Sequence, residues 1–171
     1  MHCASFSRCL ASGYRIAWAA ARRYAPSVQW LTTMGSIAAS LPPQLAIAEY
    51  LALDGYDSNL LGLREALSRR RQHALRMVER HFPAGIRVTR PQSGYFLWVE
   101  LPIDVVTLAL HRTVLDDHCI SIAPGALFSA DRRFAHHMRL NVSISANNSQ
   151  RFDDALRVLG RLAAAGPALS R

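Results

Sequence analysis

The chain has 171 residues, half of them apolar, with 20 basic residues against 12 acidic ones and a formal charge of +8. That length suits one domain with a real core, and Leu, Ile, Val and Phe spread along it exclude disorder. No apolar run approaches the roughly 18 residues of a membrane span. The start, Met1-His2-Cys3-Ala4-Ser5, lacks a basic segment followed by an apolar stretch, so no secretory leader is expected. Cys3, Cys9 and Cys119, odd in number and unevenly spaced, fit free thiols in a reducing cytoplasm. All 20 basic residues are arginine, and there is no lysine.

In chain order, residues 5–13 read as a loop and Tyr14–Ala19 as a short strand. No partner strand is evident nearby, which points to a piece of something larger. A helix is predicted over Ala21–Gly35, with Pro26 near its start. A second follows Ser40, a candidate N-cap, with Pro42 and Pro43 in its first turn, and ends near Leu53. A long amphipathic helix is predicted over Tyr56–His81, burying Leu60, Leu63, Leu67, Ala74, Met77 and Val78. Beyond it, Ile86–Val88 and Tyr95–Leu101 read as strands about a Pro91–Gly94 turn. Val105–Leu115 reads as a helix and Cys119–Ala123 as a short buried strand. From His137 to Ser145 the pattern alternates, with Met138, Leu140, Val142 and Ile144 on one face and Arg139, Asn141, Ser143 and Ser145 on the other. A last helix begins near Asn148 or Ser149, with Asp153 and Asp154 in its first turns and Phe152, Ala155, Leu156, Leu159 and Leu162 on its buried face. The tail after Gly166 is expected to fray. The fold class is therefore mixed α/β: helices first, then a small sheet covered by helices.

The segment Ser5-Phe6-Ser7-Arg8-Cys9-Leu10-Ala11-Ser12-Gly13-Tyr14-Arg15-Ile16-Ala17-Trp18 resembles the lysine loop of fold-type I pyridoxal 5′-phosphate (PLP) enzymes, the class I/II aminotransferases. Their form is S-x-S-K, a short loop, then G-x-R-x-G. Ser5, Ser7, Gly13 and Arg15 match it. Arg8 stands in the lysine position, and Ala17 replaces the second glycine. Further on come Leu41-Pro42-Pro43-Gln44, Ser93-Gly94-Tyr95-Phe96-Leu97-Trp98, Ile120-Ser121-Ile122-Ala123-Pro124-Gly125 and Met138-Arg139-Leu140-Asn141, in the order and spacing of one branch. That branch is the MocR regulators of the GntR superfamily, which fuse a winged-helix DNA-binding domain to an aminotransferase-like domain.

The resemblance implies the C-terminal segment of the fold-type I fold. Residues 1–40 would close the PLP-binding large domain, and residues 41–171 would supply interdomain helices and the small domain. It implies Ser5, Ser7 and Arg15 as ligands of the PLP phosphate, a dianion that suits a guanidinium fork. Gly13 would allow the loop a sharp backbone conformation. Arg139 would clamp the carboxylate of an amino-acid effector or substrate, with Tyr95 and Asn141 beside it. The family's DNA-binding domain and early large-domain elements precede this segment, so a truncated domain is expected, reaching DNA only through that N-terminal domain and dimeric in the intact family. Arg8 changes the chemistry. A covalent PLP linkage needs a neutral amine, whereas arginine stays protonated and its lone pairs are delocalised. With no lysine elsewhere, anion or cofactor binding is expected to survive and transamination is not.

Two alternative functions stand beside this one: an active PLP-dependent aminotransferase subunit, and an arginine-rich nucleic-acid-binding fragment centred on Arg69-Arg70-Arg71. The plain reading of that run is a solvated helix face. His111, Asp116, Asp117, His118, Cys119, His136 and His137 are ligand types at no standard zinc spacing, so no metal site is expected. Cys9, beside Arg8, has no paired histidine to make it a nucleophile. The helices before Gly85 are expected to leave apolar faces unsatisfied, favouring self-association.

Overall fold

The computed structural model describes residues 1–131, 133–143 and 148–166. They form two compact units, Met1–Arg64 and Glu65–Arg171.

The first unit opens with two antiparallel strands, β1 (His2–Ser5) and β2 (Ala17–Ala20), pairing Ser5 with Ala17 and His2 with Ala20. The strand expected to lack a neighbour thus has one, β1, which lies just before it in the chain, and the argument for a cut piece loses that support. β1 escapes a sequence reading because His-Cys-Ala-Ser has neither β-branched residues nor alternation. Its pairing is set instead by the loop, where Phe6 N–H donates to Ile16 O at 3.0 Å. Helix α1 (Ala25–Ser36) carries Pro26 in its first turn, where no N–H is needed. Helix α2 (Leu41–Ala52) likewise starts on Pro42 and Pro43. Ser40 occupies the capping position, yet its hydroxyl makes no cap bond. Gln44 Nε2 instead reaches back to the carbonyls of Ala39 and Ser40. Burial is scant in this unit: among its residues only Ala21 and Ile47 are buried.

Helix α3 (Gly55–His81) runs 27 residues, about 40 Å at 1.5 Å per residue. Its predicted stripe is real but uneven. Ala74 and Val78 are buried, whereas Leu60, Leu63, Leu67 and Met77 are half-buried.

The second unit holds a four-stranded antiparallel sheet in the order β3-β4-β6-β5: β3 (Arg87–Val88), β4 (Phe96–Glu100), β5 (Ala123–Pro124) and β6 (His137–Asn141). Period-two alternation sends Leu97, Val99, Met138 and Leu140 into the core. There they meet Ala74 and Val78 of α3, Leu110 and Val114 of α4 (Thr107–His118), and Leu156, Leu159 and Ala163 of α5 (Ser149–Ala165). Gly160 lets α5 lie directly on α3: a Cβ there would overlap the His81 carbonyl.

Three further expectations need correction. The strand Cys119–Ala123 shrinks to Ala123–Pro124. Cys119 is the left-handed end of α4, the N–H groups of Cys119 and Ile120 are taken by the carbonyls of Leu115 and Val114, and that of Ile122 by His111 Nδ1. Asp153 and Asp154 lie past the first turn of α5, paired with His73 and Arg157 rather than with the helix dipole. Arg71 is no solvated charge: Nη1 and Nη2 donate to the carbonyls of Gly94 and Gln92, both at 3.1 Å. Ile144, Ser145 and the tail beyond Gly166 lie outside the described residues.

Candidate functional site

In the first unit the loop between β1 and β2 joins three of the predicted residues. Ser5 ends β1 and caps a short 3-10 turn over Phe6–Arg8: its Oγ accepts from Ser7 N–H at 3.2 Å and donates to Ile16 O at 3.3 Å. Ser7 Oγ accepts from Arg15 Nη1 at 3.2 Å. Ser5, Ser7 and Arg15 are thus one hydrogen-bonded chain. Because Arg15 donates to Ser7, the Ser7 hydroxyl proton is left for an outside acceptor. Arg15 itself has φ 55°, the left-handed region, which costs a non-glycine residue about 1 kcal/mol. The sharp backbone conformation therefore falls on Arg15 rather than on Gly13, which needs no positive φ. Arg8 ends the 3-10 turn and is exposed.

Cys9 follows. Its Sγ lies 3.4 Å from Tyr56 Oη and near the carbonyls of Ser5 and Phe6. That hydrogen bond first, and burial second, hold the Tyr56 hydroxyl above its ordinary value of 10.0. Asn59 Nδ2 donates to the Cys9 carbonyl at 3.1 Å, so α3 fastens the loop from below.

In the second unit β4 and β6 pair Phe96 with Asn141 and Trp98 with Arg139, which puts these four side chains on the sheet face away from the core. The Arg139 guanidinium sits 4.2 Å from the Phe96 ring centre and 4.8 Å from that of Phe128. Phe128 ends a 3-10 turn, Gly125–Phe128, that begins where a Cβ would overlap the Phe134 carbonyl. Asn141 Oδ1 accepts from the N–H and hydroxyl of Ser143 at 2.9 and 2.7 Å, which fixes its amide and leaves Nδ2 as a donor. Tyr95 is half-buried against the core and tilts on Phe96, with ring centres 4.4 Å apart. Its carbonyl takes the Val142 N–H.

The structure therefore gathers Ser5, Ser7 and Arg15 in one unit, and Arg139, Tyr95 and Asn141 along one strand pair in the other. Phe96 and Phe128 had no site reading of their own in the sequence, and Arg71 reads there only as part of a basic helix face. The signal for Phe96 was present, as an aromatic residue on the polar face of an alternating strand. Phe128 had none, and the carbonyl partners of Arg71 had none either, since both sets of contacts are fixed only by tertiary structure. Among the described residues no three of His, Cys, Asp and Glu gather as a metal site, and no helix is long and apolar enough to cross a membrane.

This fold is that of the fold-type I aminotransferases. Kynurenine aminotransferase of Pyrococcus horikoshii superposes with a TM-score of 0.86 at 21% identity, covering 99% of this chain and 41% of that one. The model of the family "Aminotransferase class I and II" matches residues 2–156, and the chain belongs to that family. It is 39% identical over 162 residues to the HTH-type transcriptional regulator YdcR of Escherichia coli, covering 95% of this chain and 34% of the regulator. It is 29% identical over 159 residues to 2-aminoadipate transaminase of Thermus thermophilus, covering 92% of this chain and 39% of the enzyme. The resemblance to MocR/GntR-type regulators is borne out alongside the resemblance to aminotransferases. The chain spans little more than a third of the length of these relatives.

Proposed function

We propose that the chain is the effector-binding part of a MocR/GntR-type transcriptional regulator, cytoplasmic, truncated relative to its family and without transaminase activity by itself. Residues 1–40 take the role of the end of the PLP-binding large domain, and residues 41–171 that of interdomain helices and small domain. In the intact family arrangement the protein is a homodimer that reaches DNA through an N-terminal domain. The observation that carries the reading is Arg8 in the lysine position of a chain that contains no lysine.

The donors present fit the phosphate of PLP. Ser5, Ser7 and Arg15 offer hydroxyls and a guanidinium already linked to one another, the donor set a dianion favours. They do not fit its covalent attachment, because a protonated, delocalised guanidinium is no nucleophile. PLP, when bound, supplies an electron sink for an amino acid. The chain's own contribution is to hold: Ser5, Ser7 and Arg15 the phosphate, Arg139 and Asn141 Nδ2 a carboxylate, and Tyr95 the wall beside them. The effector is accordingly an amino acid.

Mixing the purified chain with PLP, reducing with borohydride and mapping pyridoxyl groups tests this reading. No side-chain adduct is expected in Ser5–Trp18, and one mapped there sinks it. Amino-acid-dependent conversion of PLP to pyridoxamine phosphate would favour the active-enzyme alternative, for which the transaminase relative speaks. The nucleic-acid alternative loses ground on geometry, since Arg69 pairs with Glu65 at 3.5 Å and Arg71 holds two carbonyls. Salt-dependent DNA retention abolished by replacing Arg69–Arg71 with serine would revive it.

A further inference from the structure

We infer that Phe96 and Phe128 are positioning residues, which hold the Arg139 guanidinium ready for the carboxylate of an amino acid. The inference rests on the carboxylate reading of Arg139 and goes beyond it to what sets the arginine's geometry.

Arg139 is half-buried, and a cation withdrawn from water needs a partner. Among the described residues no carboxylate pairs with it: the arginine–carboxylate pairs there involve Arg69, Arg87, Arg90, Arg133 and Arg157. Its neighbours are instead two phenyl rings, at 4.2 and 4.8 Å. The negative face of an aromatic ring attracts a guanidinium but accepts none of its in-plane N–H bonds conventionally. The rings therefore restrict the side chain while leaving its donor fork unspent, the state a bidentate carboxylate requires. Ordering a long, flexible arginine in advance removes an entropy cost from binding.

Both rings are themselves braced. Phe96 leans on Tyr95. Phe128 meets Trp98 edge-on, with centres 5.4 Å apart, and Trp98 is the cross-strand neighbour of Arg139. Phe128 remains 43% exposed, so its ring is replaceable without opening the core. A ring so exposed contributes little to folding. Its placement against a cation that no carboxylate among the described residues pairs with is what the positioning role accounts for.

The test uses the full chain with 15N-labelled arginine, the Arg139 Nε–Hε signal being assigned by its loss in Arg139→Lys. That signal should lie upfield under the two rings. It should move on addition of L-leucine but not of L-leucinamide, which lacks the carboxylate. Phe128→Leu should weaken the L-leucine response about 2- to 30-fold, the range a cation–π contact spans, and Phe128→Tyr should restore it. Near-unchanged L-leucine binding in Phe128→Leu, or no recovery in Phe128→Tyr, overturns the positioning role. The two layers fail differently. A ring-shifted signal that ignores L-leucine removes the carboxylate reading, and with it any purpose for the clamp. A signal that answers L-leucine without a ring shift removes the clamp alone.

Discussion

At the scale of single residues, the proposed function would separate holding a ligand from transforming it. Ser5, Ser7 and Arg15 form a linked donor set, and Arg8 beside them cannot act as an amine. Removing the guanidinium with Arg15→Ala should weaken binding of PLP, followed by its absorbance, about 10- to 150-fold, the worth of one charge-assisted hydrogen bond. Arg8→Lys should restore a borohydride-fixable pyridoxyl adduct at position 8, while Arg8→Gln should not. The Cys9–Tyr56 contact makes a separate, pH-based prediction. A phenol whose pKa rises on folding contributes stability below its unfolded value and loses it as pH climbs through the folded one. Since Tyr56 is raised from 10.0, chiefly by Cys9, that contribution is complete at neutral pH and disappears in strong alkali. Cys9→Ala should lower the Tyr56 titration, read as phenolate absorbance against a Tyr56→Phe control.

At the scale of elements, glycine and arginine do work that propensity conceals. In an exposed helix Gly→Ala gains about 1 kcal/mol. At position 160 the new methyl group would overlap the His81 carbonyl, and overpacking of that kind costs about 1–3 kcal/mol. Steric cost wins, so Gly160→Ala should lower the urea midpoint. Arg71 closes the turn before β4 through two carbonyls. Arg71→Ala should speed hydrogen exchange at Gly94 and Tyr95, with the helix around it unchanged. Period and punctuation made much of this scale legible in advance. The stripe of α3, the proline starts of α1 and α2, and the alternation of β4 and β6 all follow from local chemistry. β1, the shortened β5 and the pairing of Asp153 with His73 were not legible, because each depends on a partner in another element. The order of Ser5, Ser7, Arg15 and Arg139 could be read from motifs. The left-handed backbone of Arg15 and the rings around Arg139 could not, because they arise only on folding.

At the scale of the whole molecule, burial is divided unequally. Glu65–Arg171 contains the entire core around Leu97, Val99, Met138, Leu156 and Leu159. Met1–Arg64 buries only Ala21 and Ile47, while Trp30, Met34 and Ile37 stand 62–85% exposed. Amides of β4, β6 and α5 should therefore exchange only on global unfolding, and those of α1 and α2 much faster. Leu97→Ala should cost about 2–5 kcal/mol of stability, measured by denaturant unfolding. The hairpin of β1 and β2 carries one more consequence. Among the described residues no third strand joins the pair, and neither strand contains an Asp, Glu, Lys, Arg or proline, so its outer edges could template pairing with further chains. Arg15, Arg22 and Arg23 flank it with like charge on every copy, and gatekeepers of this kind keep such edges apart. Their repulsion reaches about 10 Å at 0.1 M salt and about 3 Å at 1 M. Concentrated salt should thus release the edges to one another, and Arg15, proposed for the phosphate, would also help keep the molecule dispersed.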